Sequence, residues 1–173
     1  MNSNLCEALD KCYDITYQPR MIGFEAHDHK NCIASGVASA DAYCRAAGLK
    51  LTTSRKQVLE ILLKEHRALG AYEILEYMGQ GTKPPMAYRA LDFLVKHGFA
   101  HRIERLNAFI ACAHPGQDHS PAFLICRSCD AVAEAASEPG KGRLGAAANK
   151  AGFVIERAAV EAVGLCPKCQ DAP

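Results

Sequence analysis

The stretch KPPMAYRALDFLVKHGFAHRIERLNAFIAC, residues 83–112, decides the fold. Pro84 and Pro85 sit where a helix can begin, because first-turn amides have no intrahelical partner to lose. Tyr88, Leu91, Phe93, Leu94 and Val95 then supply packing side chains as far as about His97, and Gly98 ends the run. Phe99–Glu104 and Ala108–Cys112 follow as two strand-like segments joined at Arg105-Leu106-Asn107, which reads as a β-hairpin. Upstream, Ser39–Ala47 predicts a first helix stopped by Gly48. Thr52, Thr53 or Ser54 can cap a second helix that carries Val58, Leu59, Ile61, Leu62 and Leu63. After Gly70 a short helix over Ala71–Met78 leads to the turn Gly79-Gln80-Gly81. Successive helices, the last started by proline and followed by a hairpin, make a winged helix-turn-helix.

Downstream the pattern changes. The polar run 114–120 reads as a hinge. Ala122–Arg127 and Ala131–Ala136 predict strands, Leu144–Ala151 a helix, and Phe153–Val163 a further strand. The fold class is therefore α+β, with a DNA-binding winged helix-turn-helix over residues 35–113, a hinge over 114–120 and a small α/β domain over 121–173. Residues 1–34 read as a flexible N-terminal extension, with a helical piece around Leu5–Cys12.

No apolar run approaches the roughly 18 residues of a membrane span, and the first 30 residues carry no apolar signal-peptide core. A cytoplasmic protein with no membrane partner is expected. The net charge is +1 over all 173 residues, yet residues 45–106 hold eleven Lys and Arg against six Asp and Glu, a local +5. Such asymmetry suits a nucleic-acid surface in the first half, although a merely solvated helical face would show it too.

Nine cysteines, an odd number without an export signal, point away from a secreted disulfide scaffold. Four of them form two pairs, Cys126-Arg-Ser-Cys129 and Cys166-Pro-Lys-Cys169. Each pair offers two thiolates at knuckle spacing, and the two pairs together fill a tetrahedral zinc site with no position left for water, so the ion is structural. A thioredoxin-type pair would open a helix in a βαβ unit, and neither pair does. A nucleobase deaminase would need a His-x-Glu, which is absent. An iron–sulfur cluster is the remaining competitor.

A second constellation mixes ligand types: His101, Cys112, His119 and Glu134, drawn from the wing, the hinge and the second domain. A metal bound by all four would fix one domain against the other, and its thiolate favours zinc over a hard ion. Taken singly, a wing histidine is more often a surface residue and a strand-end cysteine a small buried hydrophobe. His27, His29 and Cys32 offer a partial further metal site in what otherwise reads as tail. Cys6, Cys12 and Cys44, with Cys32, would be the thiols of a redox switch, and read more simply as incidental.

Residues 83–112, together with HSPAFLICRSCDAVAE (119–134) and GLCPKC (164–169), resemble the zinc uptake regulator branch of the ferric uptake regulator family. The likeness covers roughly residues 40–170. It implies a homodimeric winged-helix repressor of zinc uptake genes, neither an enzyme nor a binder of small-molecule substrates, whose C-terminal half is the dimerisation domain. By the same likeness Cys126, Cys129, Cys166 and Cys169 hold structural Zn2+, and His101, Cys112, His119 and Glu134 hold at least one regulatory Zn2+ per chain. The Tyr–Arg pair of the recognition helix matches Tyr88 and Arg89. Two motifs depart from the family pattern: Leu51-Thr52-Thr53-Ser54-Arg55 lacks a proline, and Met86-Ala87 replaces Thr-Val before Tyr88.

Against an operator in double-stranded DNA, Arg89 suits bidentate contact with guanine, and Tyr88 a thymine methyl or phosphate. Lys83, Arg55 and Tyr72 are placed to touch the backbone. Rival readings are an iron, manganese or peroxide sensor of the same family, with His114 as a substitute ligand, and a metal-dependent hydrolase, for which no His-Glu-x-x-His motif is present.

Overall fold

Helix α1 (His29–Ala46) lays Ile33, Val37, Ala40 and Cys44 at helical spacing onto helix α2 (Thr53–Lys64). The computed structural model describes residue 24 and residues 29–65, 67–115 and 119–170; the expected helical piece at Leu5–Cys12 lies outside them. α1 starts ten residues before the Ser39 expected from sequence and crosses the boundary drawn after residue 34. Ser35 and Gly36 interrupt the apolar stripe in this added stretch. The glycine serves close approach here, since a Cβ added to it would stand 2.7 Å from Leu63 Cδ1.

Thr52 caps α2 by accepting from the Arg55 amide at 3.5 Å, and Val58, Leu59, Leu62 and Leu63 are buried beneath it. Strand β1 (Leu69–Gly70) leads into α3 (Ala71–Met78), whose first turn is closed by the Gly70 amide donating to Glu73 Oε2 at 2.8 Å. Helix α4 (Pro84–Lys96) begins at the two prolines and buries Ala87, Ala90, Leu91, Phe93 and Leu94. Tyr88, expected from its spacing to be available for packing, is 44% exposed. The alanines occupy the near face because α4 lies close against α2 and α3.

Strands β2 (Ala100–Ile103) and β3 (Ala108–Ala111) form the hairpin, and β1 adds to β3 in the order β1-β3-β2. The wing tip turns at Asn107, whose φ of 47° is one that asparagine tolerates. The second sheet has the order β5-β4-β6, from β4 (Ser120–Cys126), β5 (Val132–Ser137) and β6 (Val160–Gly164). β4 and β5 are antiparallel, whereas β6 runs parallel to β4 after a crossover through α5 (Arg143–Lys150). The long strand expected over Phe153–Val163 is therefore only its last part. Pairing with Ala122–Cys126 begins at Val160, and the alternating residues before it have no strand partner. A short helix, α6 (Pro167–Gln170), ends the described chain.

The main core lies among the four helices and the wing. A second apolar cluster sits at the junction of the two sheets, where Ala68, Ile103, Ala108 and Ile110 meet Phe123, Ile125 and Val132, with Leu106 against them. That cluster sets the wing on the second sheet. No helix of the described residues is long and apolar enough to cross a membrane.

Candidate metal centres and nucleic-acid interface

The four paired cysteines converge because β4 and β6 end together. Cys126 stands in register with Gly164, and the Arg127 amide continues the pairing by donating to Gly164 O at 2.9 Å. Beyond that point each strand enters a tight turn. Asp130, with φ 57°, brings the first turn back so that the Cys126 amide donates to Ala131 O, and the Cys169 amide closes the second onto Cys166 O. The four sulfurs all lie within 4.8 Å of one another, and Cys129 Sγ is 3.7 Å from Cys166 Sγ. Zinc–sulfur bonds of about 2.3 Å in a tetrahedron require sulfur separations of about 3.8 Å. The Cys166 amide donates to Cys126 Sγ at 3.3 Å and lowers that thiol, which favours its thiolate form as a ligand. The donor set and spacing fit a closed zinc site.

The mixed set lies at the other end of the second sheet. His101 comes from β2, Cys112 follows β3, His119 precedes β4 and Glu134 is on β5, and one ligand atom from each falls within 4.8 Å of the rest. Glu134 is only 2% exposed. Its Oε1 lies 2.8 Å from His119 Nε2 and 3.2 Å from His101 Nε2, while its Oε2 accepts from the Ala113 amide at 2.9 Å. Burial would raise this carboxyl, but His101, the Ala113 amide and His119 outweigh it and hold it below the usual carboxylate range. Cys112 Sγ stands 3.6 Å from His119 Nε2 and accepts from the His114 amide at 3.3 Å. Burial, then the Glu134 carboxylate, push its thiol up to about 12 against that amide's opposing effect.

His101 Nε2 is buried without a hydrogen bond of acceptable geometry, despite its closeness to Glu134. An orphaned imidazole nitrogen beside a buried carboxylate and a buried thiol is costly unless a cation completes it. Two neutral imidazoles, one thiolate and one carboxylate carry two negative charges, which a single divalent ion neutralises. The residues present fit zinc.

On the helical side, Tyr88 and Arg89 are exposed on the outer face of α4, with Met86 beside them and Lys83 exposed at its N-cap. Tyr72 on α3 is 71% exposed. Arg55 is arranged differently. Its guanidinium stacks 3.6 Å over the Phe93 ring and donates to Lys50 O, so it is partly committed to the molecule's own packing. His27 lies outside the described residues, and of His29 and Cys32 only the backbone, in α1, is described.

Two features escaped the sequence reading. Leu144, Phe153, Val154, Val160 and Val163 leave large apolar side chains exposed on the second domain. The alternating pattern around 153–163 carried a signal for them, which was read as a strand face alone. Glu161 bonds the wing tip from 56 and 57 residues away, and no local pattern marks it.

Fold and clusters together define a two-domain winged-helix protein with two candidate metal sites, a four-thiolate cluster and a mixed set at the domain junction. Residues 46–163 match the family model "Ferric uptake regulator family". The zinc uptake regulation protein of Escherichia coli is 35% identical over 137 residues, 77% of this chain and 80% of that protein. A solved zinc uptake regulator complexed with zinc and DNA superposes with a TM-score of 0.76 at 34% identity, covering 80% of this chain and 95% of that one. The holo form of XcZur superposes at 0.73 with 39% identity, over 80% and 99% respectively. The chain belongs to the ferric uptake regulator family, whose members are transcription regulators and not enzymes.

Proposed function

We propose that this protein is a zinc-responsive transcriptional repressor that binds operator DNA as a zinc-loaded homodimer and controls zinc uptake genes. The observation that carries this reading is the mixed set. His101, Cys112, His119 and Glu134 meet across the junction between wing and second sheet, so an ion held by them selects one orientation of the DNA-binding part. The thiolate of Cys112 favours zinc over ferrous or manganous ion. The similarity to zinc uptake regulators, one of them solved with zinc and DNA, supports the same choice.

In this scheme the winged helix, from the start of α1 at His29 to residue 113, binds DNA, 114–120 are the hinge, and 121–173 dimerise and keep a structural zinc on Cys126, Cys129, Cys166 and Cys169. Exposed Phe153, Val154, Val160 and Val163 supply apolar surface for a second copy of the chain. Arg89 and Tyr88 read base edges, while Lys83 and Tyr72 meet phosphates; Arg55 reaches the backbone only where it leaves its stack on Phe93. Zinc supplies charge neutralisation and geometry at the mixed site. The protein works in the cytoplasm, where its operator and the fluctuating zinc pool are.

The test is DNA binding titrated against free zinc, with metal content measured at both ends, on a duplex selected in vitro by the zinc-loaded protein. We expect one tightly held ion per chain without DNA binding, and at least one more when binding appears. His101→Ala and Cys112→Ala should abolish the zinc dependence. Unchanged zinc dependence in both variants, or binding driven by ferrous or manganous ion in place of zinc, would overturn the reading.

A further inference from the structure

The wing is held to the second domain at its tip as well as at its base. At the base His101 and Cys112 belong to the mixed metal set. At the tip Glu161 of β6 accepts from two successive amides, Glu104 N at 2.8 Å and Arg105 N at 3.2 Å. Between the two ends Ile103, Leu106, Ala108 and Ile110 lie on Phe123, Ile125 and Val132. His101 and the tip amides are three to four residues apart along an extended strand, or about 10 Å at the usual rise.

Successive amides converging on one point form a small anion-binding concavity, and a carboxylate there makes charge-assisted hydrogen bonds. The tip is preshaped to receive it. Asn107 takes a positive φ and its amide closes the turn onto Glu104 O, while the Arg102 guanidinium holds Asn107 Oδ1 at 2.9 Å. A single metal site at the base is one point of attachment. A hairpin fixed at one point on an apolar pad can still pivot; one fixed at both ends cannot.

We infer that Glu161 is a positioning residue, a tip latch that works with the metal at the base to hold the wing, and with it α4, in the orientation that binds DNA. The inference rests on the proposed function, because its consequence is read in zinc-dependent DNA binding. Losing the latch leaves every metal ligand in place but shifts the equilibrium between fixed and pivoting wing. By linkage more free zinc is then needed for the same DNA occupancy.

The experiment compares the full chain with Glu161→Gln and Glu161→Ala at saturating and limiting zinc. Both variants should hold the same number of zinc ions at saturation as the parent. The free zinc giving half-maximal DNA binding should rise about tenfold for Glu161→Ala, the scale of a pair of charge-assisted bonds, and by less for Glu161→Gln, which keeps one acceptor oxygen. Amide hydrogen exchange reads the latch independently of DNA: Glu104 and Arg105 should be protected in the zinc-loaded parent and exposed in Glu161→Ala. Failure of the parent to bind DNA in response to zinc would strike the functional reading, with the exchange result still deciding the latch. Unchanged exchange at residues 104 and 105 in Glu161→Ala, or an unchanged zinc midpoint despite lost protection, overturns the inference.

Discussion

Glu134 Oε1 stands 2.8 Å from His119 Nε2 inside the junction of the two domains, where the carboxylate is almost wholly removed from water. The pair joins β5 to the segment entering β4, and the same oxygen lies 3.2 Å from His101 Nε2 on the wing. One carboxylate therefore faces both parts of the molecule. What it does depends on whether a cation shares its lone pairs.

With Glu134 as a ligand, Glu134→Gln should weaken zinc at the mixed site by at least about hundredfold, beyond the usual cost of losing a supporting partner. The thiolate site should keep its ion. Metal content after dialysis against a graded chelator measures both at once, and a variant that still retains every zinc ion of the parent would remove Glu134 from the set.

Acidity separates binding from folding at this site. Zinc must displace the Cys112 proton, held at about 12, so affinity should fall with decreasing pH by about tenfold per unit for that proton, and faster where the histidines also protonate. In protein lacking the second ion, Glu134 has a lowered folded value. Its contribution is present above the ordinary carboxylate range and is lost as pH falls through that lowered value. Cys112 acts oppositely: its raised value favours the folded thiol below its ordinary 9.0, and that contribution is lost as pH climbs from there through about 12. Urea unfolding across pH should show an alkaline decline that is smaller in Cys112→Ser, since Cys44 is raised by burial as well, and an undiminished decline in the variant would count against the assignment.

The four-thiolate site should behave as a staple. Structural zinc sites carry apparent binding energies on the order of 10 kcal/mol, comparable to the stability of a whole domain. Cys166→Ser should therefore release that ion and unfold the second domain, whereas emptying the mixed site should leave the domain folded. Circular dichroism with metal analysis checks this; a Cys166→Ser protein with native melting and full zinc content would refute it.

DNA contacts divide by type. Arg89→Ala should cost about 1–3 kcal/mol and relax discrimination at one base position. Lys83→Ala should weaken all sequences alike and reduce the salt slope by about one. Competition binding on single-base operator variants at two salt concentrations distinguishes the two, and equal losses on every sequence for Arg89→Ala would make it a phosphate contact.

Much of the architecture was legible from local signals. Pro84-Pro85, Gly98 and the hairpin residues set the winged helix because capping and turn preferences act over a few residues. The full length of α1 was not legible, since Gly36 looks like an interruption until Leu63 is seen packed against it. Nor was the short β6, because alternation marks a possible strand and only the partner, Ala122–Cys126, decides where pairing begins. Tyr88, expected among the packing residues, stands exposed while Ala87 is buried, for a similar reason: helical spacing defines a face, but the neighbouring helices choose which edge of it is buried.

By itself the sequence determined the order of elements and the chemistry on offer: two thiolate pairs at knuckle spacing, a basic helical half, and histidine, cysteine and glutamate scattered over 34 residues, from His101 to Glu134. Their residue types offered those last four as a candidate ligand set, and the family likeness strengthened it. Tertiary structure alone decided that they meet, and that Glu161 reaches the wing tip. The reason is physical. Spacing governs contacts within one helix or turn, whereas these contacts exist only because the apolar pad of Ile103, Ala108 and Ile110 seats the wing on Phe123, Ile125 and Val132.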